Sequence, residues 1–270
     1  MDAPPPPRLP GRGSRDTLLT MPEVAWPLGL LSGFVGTWAG LTARVPGLGA
    51  LGGVLAFVAL HATLLGRGRR SLAAAVALGW GGAVTAAVMG TVIELGFDKI
   101  HLALPFAASW DASQVAPWID PDVRAPHLLS LGGMGVGLGV VAAMVALARV
   151  AHGVGALLAA ALYLGAAGAG AGRVVALAME HGGDPLFTSL VAFPPHVGLQ
   201  VAGGLLIATV LADPAPVAAP GSTSGGTGRR LVLAGIALAV LGVLGEPLLR
   251  TLWGGWMEGA VNWSAPGAGQ

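Results

Sequence analysis

Seven long apolar runs restrict what this chain can fold into more than any other feature. They cover residues 24–44, 47–66, 72–96, 128–149, 153–179, 186–211 and 231–256. A bilayer core about 30 Å thick is crossed by about 20 apolar residues of helix. No water is available there, so each crossing segment must satisfy its own backbone amides, which a helix does. Charge is correspondingly scarce: 10% of residues are charged and 54% are hydrophobic, whereas soluble domains carry about 25% charged residues. The fold class expected is all-α, a polytopic membrane helical bundle with seven transmembrane helices. The lipid bilayer is its principal partner, and a multi-pass protein of the cell (inner) membrane is the localisation implied.

Punctuation between the runs gives the organisation. Residues 1–22 are rich in Pro, Gly and Arg and lack an apolar stretch directly after a basic start, so they read as a disordered cytoplasmic tail, not a signal peptide. Residues 23–211 form a six-helix membrane bundle with a polar outer loop at 97–127. The segment 212–230, "ADPAPVAAPGSTSGGTGRR", is a flexible cytoplasmic linker, 231–257 is the seventh helix and 258–270 an outer tail.

Arginine placement sets the threading. With the N-terminus inside, the inner segments hold Arg8, Arg12, Arg15, Arg67, Arg69, Arg70, Arg149, Arg229 and Arg230, and the outer ones only Arg44, Lys99 and Arg124. Cytoplasmic loops carry the excess of basic residues, so the expected orientation is N-inside, C-outside. Trp110, Trp118, Trp256 and Trp263 then lie on the outer side or at its interface, as an aromatic belt requires. Small residues four apart allow close helix packing in lipid. Gly29, Gly33, Gly36 and Gly40 form such a stripe, and Gly133/Gly137, Gly135/Gly139 and Gly168/Gly172 form pairs.

The few polar residues define the candidate sites. Val92 to His101, "VIELGFDKIH", places Glu94, Asp98 and His101 on one face if the helix continues. With His127 and His181 they make a carboxylate–imidazole set suited to a divalent metal; the simpler reading is a helix leaving the membrane. Arg173 and Glu246 fall at depths that permit pairing between the fifth and seventh runs, with Arg250 competing for Glu246 and Glu180 on the Arg173 face. Ionisable groups inside a membrane mark functional sites unless they simply pair. His196 is placed at mid-bilayer after Pro194 and Pro195, which kink the sixth run and free carbonyls that His196 or Gln200 can satisfy. Arg173, Glu180, His196, Gln200, Glu246 and Arg250 are therefore the expected ligand pocket. Histidines in tiers, His61/His152 and His196/His181, also allow haem b as a cofactor.

The second half, from "HLLSLGGMGVGLGVVAAMVALARV" through "GRVVALAMEHGGDPLFTSLVAFPPHVGLQ", resembles the small four-helix membrane proteins of the DoxX-like group. Gly172-Arg173 and "HGGDP" occupy the places of that group's glycine-rich, Arg-bearing helix and its short exit. The resemblance covers the third to sixth helices. It implies a compact bundle with an outward polar pocket and supplies no reaction. Gln200 stands where the group often has an acidic residue, so a charged partner for Arg173 must come from elsewhere.

Absent motifs exclude other classes. There is no Cys, hence no disulfide or thiol chemistry. No phosphate-binding loop, nucleic-acid patch or Ser/His/Asp arrangement is visible. The sole Lys, Lys99, lies in a loop, which disfavours a retinal Schiff base in the seventh helix. The reading that follows is a membrane protein with a polar pocket near the outer leaflet. It binds a lipid-like or small ligand or serves as accessory subunit to other membrane subunits. The alternatives are a metal- or haem-dependent membrane oxidoreductase and a transporter; whether the protein is an enzyme is left open by the sequence.

Overall fold

A computed structural model describes residues 18–105, 107, 131–180, 184–213 and 223–261. Those residues form helices and no strands. They are α1 (Pro22–Thr42), α2 (Leu48–Gly66), α3 (Arg70–Leu95), the short α4 (Phe97–Ile100), α5 (Leu131–Ala146), α6 (Val154–Glu180), α7 (Pro185–Val191), α8 (Pro195–Ala212), α9 (Thr223–Leu244) and α10 (Glu246–Val261). Single 3-10 segments, His101–Ala103 and Leu147–Gly153, follow α4 and α5. Seven helices are long and apolar enough to cross a membrane: α1, α2, α3, Met134–Ala151, α6, α8 and Gly226–Leu244.

The central element is α6. Within its spanning window 72% of residues are buried, against 22% for Met134–Ala151 and 28% for Gly226–Leu244. Its alanines and glycines permit this, because a helix surrounded by others must carry small side chains on several faces. Around it pack α3, α8, α5 and α2, with α1 resting on α2 and α3, and α9 on α8. Phe57 of α2 stacks on Trp80 of α3, ring centroids 5.2 Å apart, and the Trp80 indole donates to the Gly53 carbonyl at 3.0 Å. Outward-facing Trp26, Leu31, Phe34 and Trp38 of α1 are exposed, as a lipid-facing surface demands.

The glycine stripe of α1 is divided between two neighbours. A Cβ on Gly36 would come 2.5 Å from the Gly52 carbonyl oxygen of α2, whereas one on Gly33 would meet Trp80 of α3 at 2.7 Å. The Gly168/Gly172 pair does seat α6 on α3, since a Cβ at Gly172 would lie 2.8 Å from the Val92 side chain. The Gly135/Gly139 pair does not serve as a packing motif among the described residues, none of which lies within 4 Å of either Cβ position. An unmarked pair, Gly203 and Gly235, brings α8 and α9 together instead, with a Gly203 Cβ only 2.6 Å from the Gly235 oxygen.

Two runs are broken, the sixth where its prolines predict a kink and the seventh where none was expected. The run 186–211 is α7, a short link and then α8. Pro194 and Pro195 cause the break, since neither has an amide hydrogen and Pro195 starts α8 where none is needed. Asp184 caps α7, accepting from the Leu186 and Phe187 amides at 2.9 and 3.3 Å. The last run, read as one helix over 231–256, divides at Gly245 into α9 and α10. Pro247, in the first turn of α10, would cost an unbroken helix one of its bonds. Helix α9 also begins at Thr223, inside the stretch expected to be a flexible linker.

Candidate functional site

Tyr163 of α6, Gln200 of α8 and Glu246 and Arg250 of α10 share one buried hydrogen-bonded cluster. The Tyr163 hydroxyl donates to Gln200 Oε1 at 2.8 Å. Gln200 Nε2 donates to the Gly242 carbonyl at 3.0 Å and to Glu246 Oε2 at 3.3 Å. Arg250 Nη2 is 2.8 Å from Glu246 Oε1. Gln200 is 0% exposed, His196 1% and Glu246 3%, while Arg250 is partly buried, so the bonds of Gln200 are shielded from solvent. In such surroundings a hydrogen bond is strong and an unmade one is expensive.

Local sequence explains the assembly. His196 and Gln200 are four apart on α8 and share its inner face. Glu246 and Arg250 are four apart on α10, the spacing at which helix side chains meet. Two glycines make room for the amide. A Cβ on Gly137 of α5 would lie 2.7 Å from the Gln200 side-chain carbonyl carbon, and one on Gly242 of α9 would lie 2.9 Å from Gln200 Cγ and 2.8 Å from its backbone nitrogen. Trp253 of α10 donates to the Val191 carbonyl at 2.7 Å. That bond ties α10 to the end of α7 and holds it over the cluster.

Three nitrogens in this region have no partner among the described residues: Nδ1 and Nε2 of His196, and Nε of Arg250. A neutral imidazole carries one N–H and one acceptor in either tautomer. At least two buried N–H donors, one on each residue, are therefore unanswered.

Of the six residues expected to form the pocket, Gln200, Glu246 and Arg250 are joined and His196 stands one turn from Gln200. His196 falls in the first turn of α8, which starts at Pro195, and so lies at the end of that spanning helix and not at its middle. Arg173 and Glu246 had been expected to pair, but Glu246 lies beyond the end of α9 on a separate helix, held by Arg250 and Gln200. The Arg173 guanidinium lies over the Phe97 ring, 5.9 Å from its centroid, and makes a further interaction. Glu180 is exposed at the end of α6.

The face expected for Glu94, Asp98 and His101 does not form. Helix α3 ends at Leu95, and Gly96 has φ +86°, a left-handed conformation that turns the chain before α4. Glu94 and Asp98 are exposed, and His101 Nδ1 bonds the Asp98 carbonyl at 2.8 Å instead of converging with the carboxylates. No group of three or more His, Asp or Glu among the described residues is placed to hold a metal ion. His127 and His181 lie outside the described residues. For the haem arrangement, His61 sits inside α2 beside Phe57, ring centroids 5.6 Å apart, and both its nitrogens lack partners among the described residues. A Cβ on Gly153 would be 3.4 Å from its ring, so protein backbone stands close against the imidazole.

Sequence reasoning missed two participants. Tyr163 is the only tyrosine in the chain. A lone phenol within an Ala/Gly-rich span must find a buried partner, and that signal points to it. Asp213, read as part of a linker, forms a largely buried ion pair with Arg70 and joins the start of α3 to the end of α8. No protein-family model, curated protein or solved structure matches this chain.

Proposed function

We propose that this is an integral membrane protein that binds a small polar ligand at the Tyr163–Gln200–Glu246–Arg250 cluster. One observation carries the reading: the unanswered donors of His196 and Arg250 inside a bundle surrounded by hydrocarbon. A buried donor left unmade costs about 1–3 kcal/mol, and folded proteins rarely tolerate it without a partner or a function. A carbonyl, carboxylate or phosphate oxygen would satisfy both. Glu246 already offsets the charge of Arg250, so a neutral or singly anionic ligand suits the site best.

A small ligand is favoured over a lipid. The apolar groove that could take an acyl chain, about 370 Å³, is lined on α8 by Gly198, Val201, Ala202 and Leu205. At 100° per residue these face away from His196 and Gln200. A lipid with its head in the cluster could not lay its chain in that groove without straddling α8. A transporter reading gains little, because the breaks before Pro195 and at Gly245 bound the spanning helices α8 and α9 instead of interrupting them, and discontinuous spanning helices are what bind substrate. The arginine distribution supports the cell (inner) membrane with the N-terminus inside. The cluster then lies toward the outer leaflet, as the DoxX-like resemblance would also have it.

Native mass spectrometry of the protein released from lipid nanodiscs tests this directly. A bound small molecule is expected on the wild type and missing from His196→Leu, with folding of both confirmed by circular dichroism. A wild type that is folded and carries no mass beyond exchangeable lipid contradicts the reading.

A further inference from the structure

At the opposite end of the bundle a cavity of about 510 Å³ lies between the starts of α1 and α3. It is lined by Thr20, Met21, Pro22, Arg69, Ser71 and Leu72. Arg69 is exposed and makes no ion pair among the described residues, unlike its neighbour Arg70, which is committed to Asp213. Arg67, Arg149, Arg229 and Arg230 lie at the same end and are exposed. Glu23, in the first turn of α1, does not line the cavity. The wall is thus part cationic and hydroxylic, part apolar through Met21, Pro22 and Leu72.

We propose that this cavity binds the headgroup of an anionic phospholipid, with Arg69 as the phosphate contact. Charge complementarity selects the occupant. Arginine donates in a fork that matches phosphate oxygens, and the surrounding arginines add a field that concentrates acidic lipid at this surface. Ser71 adds a hydroxyl to the lining, and the apolar wall meets the glycerol and upper acyl carbons. A free phosphate would leave that apolar wall bare. The proposal is independent of the ligand assigned to the Gln200 cluster.

The test is a titration of the full chain in a mild detergent with phosphatidylglycerol, phosphatidylcholine or inorganic phosphate, read by native mass spectrometry. Arg69→Ala removes the contact, and Arg149→Ala removes an exposed charge from the same end away from the cavity. Both positions are solvent-facing, so both variants keep the fold. The wild type and Arg149→Ala are expected to bind phosphatidylglycerol alike, and Arg69→Ala about tenfold more weakly, the loss of one charge-assisted contact. Equal binding of phosphatidylcholine, equal weakening by both substitutions, or no weakening by Arg69→Ala would overturn the proposal. So would inorganic phosphate competing fully with the lipid.

Discussion

Gln200 makes three hydrogen bonds to three different helices while fully buried. Gln200→Leu would strand the Gly242 carbonyl and take from the Tyr163 hydroxyl its bond to Oε1, at about 1–3 kcal/mol for an orphaned group. The expected result is a clear fall in thermal stability in detergent, with Tyr163→Phe giving a smaller loss of about 1 kcal/mol. The Glu246–Arg250 pair behaves differently. Arg250→Met alone leaves a buried carboxylate with only a neutral donor, and costs about 3–5 kcal/mol. Adding Glu246→Gln removes the uncompensated charge and should restore much of that loss, which a double-mutant unfolding cycle reads as strong coupling. Residue-scale chemistry was partly legible beforehand. Gln200, Glu246 and Arg250 drew notice because polar groups in apolar runs need partners. Which partner each took depended on the turn at Gly245: Arg173 and Glu246 match in depth only if the seventh run is unbroken, whereas the competing Arg250 keeps its i,i+4 place beside Glu246.

Helices meet through glycines, and only some glycines matter. Gly137 faces Gln200, whereas Gly135 faces open space two residues away. Gly137→Ala should destabilise by about 1–3 kcal/mol through overpacking. Gly135→Ala should be neutral or slightly stabilising, because alanine is the better helix former. A melting comparison of the two variants checks which face α5 presents. Spacing could not have ranked these glycines, because α5 carries them on several sides and periodicity has no apolar contrast to work with. The proline breaks show the same limit from the other side. Pro194-Pro195 marked a kink in the sixth run, and the structure makes it a full separation of α7 from α8. Pro247 carried equal information, but it sat in an apolar stretch that was long enough to be taken as one crossing.

For the whole molecule, hydropathy alone was decisive. All seven expected crossings have a counterpart among the described helices, with shifted ends at α5, α8 and α9. That success is physical: lipid requires about 20 residues of closed hydrogen bonding per crossing, and little else satisfies it. The contacts agree with alternate threading. Arg70 at the start of α3 reaches Asp213 after α8, and the cavity beside Arg69 is shared with the start of α1, so these ends lie together. The chain contains no cysteine, which makes single-cysteine labelling free of background. Gly66→Cys places a thiol in open space at the end of α2, and Leu102→Cys places one at a position that is 65% exposed after α4. In sealed membrane vesicles of known sidedness, an impermeant maleimide should label Leu102→Cys from the outer face only and Gly66→Cys from the cytoplasmic face only. Labelling of both thiols from the same face would contradict the membrane crossing by α3 and, with it, the threading that places the polar cluster and the arginine-rich end on opposite sides.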